Sequence, residues 1–510
     1  MATSPPIRRW LFTLLLLIPP PGMAVGQDQP APTETAPEVA AEGEAIPRAD
    51  LEKVYRRELE GLYPPNDADK VYAAHQLLER YFAAPKAAER KRVVEELKVT
   101  GLDPNLLGRL ARVRMHWPKL EPGGVYYVNE RFGTHDVRYF LGVPTAYDRT
   151  RPWPLVIKLP GAHAFAADPP PSGDQAADIY RAWTEEELTR HGDAIVMMPL
   201  LDLKELWGPT YAGMNRVIQP MLHAAGRVNV DPGRVYLVGH SMSAHAAWNL
   251  ALHYPTYFAA FNPLAGSAAG DWQRLRLINL RNVLPVVWHD ADDEVIPVAR
   301  AQSIVKALRG LKLDVEYDET KGVGHAPTPE VAEAAYQKLR GRARGLYPVQ
   351  VWIQSNRPDT QFNRADWVQV YQPLRPGAER RLMIRGGGKM DVYQNAYRVD
   401  AALVKPNRVE VKAENVAIMR LYLNDRMIDF AKPVTVVVNK KVRFEGLVKP
   451  DVGEMLNDQL FLGRGWRYYT GVIDLDLTDA KPATKPATKP ATKPAASPRP
   501  PPPPTGTGQK

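Results

Sequence analysis

The spacing of apolar positions along this 510-residue chain changes character three times. Between residues 48 and 120, stretches such as ADLEKVYRRELEGLY, DADKVYAAHQLLERYF and KAAERKRVVEELKVTG place apolar residues three and four apart, with Asp and Pro between them. That period predicts a small helical module. From Gly124 to about Arg344, short apolar runs (PLVIKL, AIVMMPL, RVYLVGHS, FAAFNPL, LPVVWHD, LDVEYDE) alternate with helix-period stretches such as DQAADIYRAWTEEELTRH and SAHAAWNLALHYP. Unbroken apolar runs are what strands covered on both faces require. Residues 121–345 are therefore expected to form an α/β domain with a mainly parallel central sheet, opened by an antiparallel hairpin from VYYV and VRYFLGV. Between 346 and 478 the period drops to two, as in VQVWIQS, WVQVYQP and RVEVKA, and long helical patterns are missing. This predicts a β-rich accessory domain, a small sandwich, with a hairpin turning near Asn439 and Lys440. Trp352, Phe362, Trp367 and Tyr371 fall at strand spacing there and are expected mainly in its core rather than on a binding platform.

The two ends follow neither period. Arg8 and Arg9 precede an apolar run from Trp10 to Ile18, and small residues Ala24 and Gly26 follow at the spacing of a cleavage site. Residues 1–26 thus have the layout of a signal peptide, with an apolar run shorter than the roughly 20 residues of a membrane span. The implied location is periplasmic or extracellular. Residues 27–47, rich in Pro, Ala and Glu, are expected to be a disordered linker. The tail from 479 to 510, with its repeated Lys-Pro-Ala-Thr and proline run, is expected to be an extended, disordered spacer and a candidate contact to an anionic envelope polymer.

Composition removes several functional classes. The chain has no Cys, hence no disulfide, thiol nucleophile or thiolate-bound metal. Its formal net charge is +9, yet the stretch from Lys481 to Lys510 carries +6 and the first 26 residues +2. The body is nearly neutral, so a nucleic-acid partner is not expected. No cofactor or catalytic metal is expected either. His240 and His245 lie five apart and share no helix face, and no His-Glu-x-x-His pattern occurs. RGGGKM lacks the strand–loop–helix context and the Lys-Ser/Thr ending of a phosphate loop.

The chemistry-bearing stretch is VGHSMSAHAAW, residues 238–248, between the strand-like RVYLV and a helix-like run. A serine hydroxyl becomes a nucleophile only when a base takes its proton and the backbone exposes it. A sharp strand-to-helix turn at Ser241 would supply that exposure, with Gly239 giving the backbone room. Ser243 stands where the usual pattern has Gly, and is small enough to let the helix close on the strand. An N-cap serine at the head of a helix would look the same over these residues alone.

Further along, LPVVWHDADDEVIPVARAQSIVKAL joins a strand, an acidic loop and a helix opened by Pro297. DETKGVGHAPTPE places His325 after a strand and a Gly-x-Gly, just ahead of another helix. Together with the serine turn, these stretches resemble the α/β-hydrolase superfamily, in the chain order Ser, Asp, His. The resemblance implies Asp293 as the triad acid, with Asp292 and then Asp290 as competitors, and His325 as the base. It implies an oxyanion hole from the backbone N–H of Met242 and, in PGAHAFAAD after PLVIKL, of Ala162. His163 and His240 are candidates to line the pocket. The superfamily typically has His-Gly where this chain has Pro160-Gly161.

Over residues 124–344 the chain is similar to secreted esterases of the polyhydroxybutyrate depolymerase and feruloyl esterase kind, and to catalytic domains of prolyl-oligopeptidase-like proteins. The resemblance implies an exported serine hydrolase that cleaves carboxylic esters, small or polymer-linked, through an acyl-enzyme. A prolyl-oligopeptidase-type serine peptidase is the alternative, although the 48–120 segment is too short for the propeller of a true prolyl oligopeptidase. A non-catalytic envelope-binding protein on a hydrolase scaffold is a second alternative, suggested by the departures at Pro160 and Ser243.

Overall fold

The computed structural model describes residues 43–161, 174–200, 208–268, 270–359, 362–383 and 389–478. The leader (1–26), the linker up to residue 42, the tail (479–510), Ala162, His163 and the glycines of RGGGKM lie outside the described residues. Among the described residues, no helix is long and apolar enough to cross a membrane.

The described residues open with a two-residue strand, Glu44–Ala45, paired antiparallel with His116–Trp117. Ile46 is buried beside it, so the last residues of the segment expected to be an unstructured linker are instead tied to the body. Four helices follow: α1 (Arg48–Glu58), α2 (Ala68–Ala83), α3 (Ala87–Val99) and α4 (Pro104–Ala111). Asp103 caps α4, its carboxylate accepting from the N–H groups of Asn105 and Leu106, and Pro104 supplies the helical φ of the first turn.

The α/β unit has eight strands: β1 (Val125–Phe132), β2 (His135–Gly142), β3 (Trp153–Leu159), β4 (Ile195–Pro199), β5 (Val230–His240), β6 (Ala260–Leu264), β7 (Leu284–Asp290) and β8 (Glu316–Thr320). Their order in the sheet is β8-β7-β6-β5-β3-β4-β2-β1. Every pairing from β4 to β8 is parallel, and β2 is antiparallel to both neighbours. This is the α/β-hydrolase arrangement.

Its central strands are apolar throughout because both faces are covered. Leu155, Ile157, Val235 and Leu237 face a core shared with α6 (Tyr211–Ala224), α7 (Met242–His253) and α8 (Ala299–Gly310). Val156, Tyr236 and Val238 point the other way, toward α9 (Pro329–Arg340), while Val196 and Met198 meet α5 (Asp174–Arg190). Alternate residues of one strand thus serve opposite layers.

Residues 350–476 supply five strands in one sheet (350–355, 397–405, 408–414, 434–438, 441–446) and four in another (364–365, 368–373, 416–423, 471–476). Val399, Val411 and Val436 from the first sheet and Val370, Leu421 and Ile473 from the second share one apolar core, as in a sandwich. The hairpin turns at Asn439 and Lys440, both at positive φ (49° and 68°). Two left-handed residues make the turn whose twist matches the flanking strands.

One helix interrupts the strands of this β-rich region. Residues Val452–Leu462 form α10, started by Asp451, whose side chain accepts from Glu454 N–H at 2.8 Å, and ended at Gly463 with φ 93°. Its Val452, Met455 and Leu456, with Tyr468, enter the same apolar cluster as Leu51, Leu78 and Leu107 of the N-terminal helices. The core of α1–α4 is therefore completed by the far end of the chain. Buried arginines join the units. Arg344 holds Asp366 through two hydrogen bonds of 2.8 Å and donates to the Phe258 carbonyl at 3.1 Å. Arg464 grips Glu79 at 2.7 and 2.8 Å and also donates to the Ala111 and Val113 carbonyls.

Burial also sets the acid limit of the fold. His75, enclosed beside Tyr55, has its pKa pushed down to about 4 by burial and then by the Arg464 charge. Burial pushes His223 down to about 4 as well, and His253 well below its usual value. Below the ordinary histidine pKa the unfolded chain takes up protons that the folded chain refuses, so stability falls as pH falls. We expect the urea midpoint to drop steadily from pH 6.5 to pH 4, each such histidine contributing about 1.4 kcal/mol per pH unit. A flat midpoint across that window in equilibrium unfolding would contradict this account.

Candidate active site

The site is built where β5 turns into α7. Ser241 sits at the turn with φ 59° and ψ −116°, a region a non-glycine residue occupies only when its surroundings hold it there. Three contacts do so. Ser241 N–H donates to the Leu264 carbonyl at the end of β6, at 2.9 Å. Gly239 lies so close to the Ser243 carbonyl that any Cβ there would overlap it. Gly266 packs against Ala244 with no space for a side chain. The helix is thereby folded tightly back on the strand, and Ser241 is left projecting at the end of the sheet.

Ser243 is fully buried, and its hydroxyl donates to the Pro160 carbonyl at the end of β3. The serine that replaces the usual glycine is thus a tie between α7 and the loop after β3, not merely a small side chain. The two departures from the superfamily pattern, at Pro160 and at Ser243, meet in this bond. Nothing in the sequence of either segment alone shows the pairing, because 83 positions separate the partners.

His325 lies opposite the serine. Its Nε2 is 2.9 Å from Ser241 Oγ, and its Nδ1 is 2.9 and 3.0 Å from the two carboxylate oxygens of Asp293. The neutral tautomer with the proton on Nδ1 satisfies all three contacts. Asp293 is buried, and its Oδ1 accepts from the N–H groups of Val295 (2.8 Å) and Ile296 (2.9 Å). Desolvation would raise its pKa, but the His325 contact and these two donors outweigh it and hold the carboxyl below its ordinary value.

The competing acids have other places. Asp292 is exposed. Asp290 is buried and accepts from the Asp292 N–H, the Thr320 hydroxyl and the Val323 N–H. Burial opposes ionisation there too, yet the donors from Thr320, Gly324, Asp292 and Val323 lower its pKa to about 2. Its carboxylate ties the end of β7 to the start of the His325 loop.

Two further histidines support the arrangement. His240, a candidate pocket residue, donates from Nε2 to the His325 backbone carbonyl at 2.8 Å, with the two rings 4.9 Å apart. It buttresses the histidine loop. His289, which the sequence reading did not single out as part of this site, is fully buried on β7. Its Nε2–H donates to the Ile296 carbonyl at 2.7 Å and lies 3.2 Å from Asp293 Oδ2, the oxygen that His325 also approaches, so it borders the acid. A histidine four residues ahead of the acid was the only signal available. Met242 opens α7, so its N–H is among those a helix leaves without an intrahelical acceptor. Among the described residues, no group of three or more His, Asp or Glu is arranged to hold a metal ion.

No protein-family model and no curated protein matches the chain. Among solved structures, it is similar to a thermostable esterase at 22% identity, over 43% of this chain and 63% of that one, with a TM-score of 0.34. It is also similar to a putative dipeptidyl aminopeptidase IV from Bacteroides ovatus (15% identity, 42% of this chain, 35% of that one, TM-score 0.32). A third is a ferulic acid esterase from Anaeromyces mucronatus (12% identity, 45% and 93%, TM-score 0.31). The chain therefore spans less than two thirds of the length of the first two.

The steric argument at the turn can be checked on stability alone. Gly239→Ala should cost more than about 3 kcal/mol or prevent folding, because the clash is with backbone. Ser243→Ala should cost about 1–2 kcal/mol, the loss expected when a buried carbonyl loses its donor. Chemical denaturation of the two variants measures both, and a Gly239→Ala protein as stable as the parent would refute the close-packing account.

Proposed function

We propose that this protein is an exported serine hydrolase that cleaves carboxylic esters through Ser241, His325 and Asp293. The observation that carries this reading is the hydrogen-bonded chain from Ser241 Oγ to His325 Nε2 and from His325 Nδ1 to Asp293, on a strand-to-helix turn that leaves the hydroxyl projecting. In this mechanism His325 takes the Ser241 proton as Oγ attacks the ester carbonyl carbon. The buried Asp293 carboxylate stabilises the imidazolium that forms and keeps the ring oriented. The oxyanion is received by the Met242 N–H and by a second donor from the loop after Pro160, for which Ala162 is the candidate. Each such donor contributes about 3 kcal/mol to the transition state. His325 then returns the proton to the departing alcohol. A water, deprotonated by the same histidine, attacks the acyl-enzyme and frees the carboxylic acid.

Ester rather than peptide bonds are favoured because, among the described residues, no propeller-like unit stands before the α/β domain to screen peptides. Among the described residues before β1 there are only helices and a two-residue strand pair. Export rests on the layout of residues 1–26 and predicts a mature protein beginning at Gln27, which N-terminal sequencing of the secreted form checks.

Ser241→Ala should abolish labelling by a fluorophosphonate probe and lower kcat/KM on short acyl nitrophenyl esters by about 10,000-fold or more. Asp293→Asn should lower kcat by about 10,000-fold, whereas Asp292→Asn, at an exposed position, should leave it almost unchanged. A Ser241→Ala enzyme as fast as the parent would overturn the assignment. Faster turnover of aminoacyl nitroanilides than of esters would make the protein a peptidase.

A further inference from the structure

A cavity of about 90 Å³ lies where the N-terminal helices, the α/β unit and the C-terminal segment meet. Its walls are partly apolar, from Val54, Trp117, Pro152, Val230 and Trp466. Several arginines also line it, and most are already engaged. Arg57 pairs with Glu58 at 3.0 Å, Arg149 with Glu44 at 2.8 Å, and Arg464 with Glu79. The cavity's other acid, Asp231, is held by Arg234 at 2.7 Å and by the Gly233 N–H.

Arg112 and Arg114 are left over. Arg112 spends one N–H on the Gly465 carbonyl at 3.3 Å and has no ion pair among the described residues. Arg114 has no hydrogen bond or ion pair among the described residues. Its guanidinium is only stacked over Trp117, 5.5 Å from the ring centroid. Burial and then the neighbouring Arg464 charge push its pKa down to about 9, against the pull of Glu79. Arg114 is half-buried, and its five N–H donors meet no acceptor among the described residues, so its planar fork is open to the two oxygens of a carboxylate or phosphate. The volume suits such a group: it exceeds the space of a single water several-fold, yet it is smaller than cavities that take an aromatic ring.

We infer that this cavity is a binding site for a small oxyanion, a carboxylate or inorganic phosphate, held by Arg114 and Arg112 between the three units. The site is separate from the serine arrangement, and the inference does not depend on the proposed hydrolase activity. A bound anion would neutralise the excess charge at the junction and stabilise the folded protein by mass action.

The test uses the full chain, with inorganic phosphate and acetate as probes and chloride of equal ionic strength as control. Phosphate or acetate should raise Tm saturably, by about 2 °C or more at saturation, and give a saturable binding heat. Arg114→Gln and Arg112→Gln should each weaken the apparent affinity about tenfold or more, with ester turnover unchanged. If Arg114→Gln fails to fold, the Arg112→Gln protein and the wild-type calorimetry still decide. Absence of a wild-type binding heat, or an equal Tm rise in the variants, would overturn the inference.

Discussion

Everything at the candidate site depends on how closely α7 folds back against β5. Only a hydrogen atom fits between Gly239 and the Ser243 carbonyl, and Gly266 must be equally bare to let Ala244 approach. That closeness forces Ser241 into positive φ. The strain, on the order of 1–3 kcal/mol for such a residue, is met by the Leu264 carbonyl and by the buried helix behind it. With the serine fixed, the other groups need only arrive at the ends of β7 and β8, where parallel strands deliver their loops to one edge of the sheet.

Those loops are braced as carefully as the turn. Asp290 ties the end of β7 to the start of the histidine loop, His240 holds the backbone of His325, and His289 packs beside Asp293. None of these three is aligned to take a proton from Ser241. Together they restrict where Asp293 and His325 can sit, which keeps the serine contact short without a bound substrate.

The α/β class was legible because its signal is local. Apolar runs without alternation mean strands covered on both faces, and the chain has such runs at every position from β3 to β7. Ser241 could be picked out from its strand-to-helix turn, whereas Asp293 and His325 were legible through the resemblance to the superfamily, in the order Ser, Asp, His. The choice between Asp292 and Asp293 could not be made on spacing, since one residue of difference decides only which carboxylate the loop turns inward. Long-range pairings were illegible for a related reason. Ser243 with Pro160, and Arg464 with Glu79, are chosen by the fold and leave no periodic trace. Helix α10 is a different case. Its Asp451 cap, its Gly463 stop and apolar residues at 452, 455 and 456 were all in view, but one short helix amid alternating strands gives a weak periodic signal.

The shared core of α1–α4 and α10 bears on the order in which the molecule can be completed. Glu79 and Arg464 are 385 positions apart, so the first helices to be translated stay uncovered on one side until nearly the whole chain has been made. Contacts of such separation form late and slowly, because a long loop must close before they contribute anything. A nascent chain of this protein would carry an exposed apolar helical surface through most of its synthesis. That is the kind of surface chaperones hold.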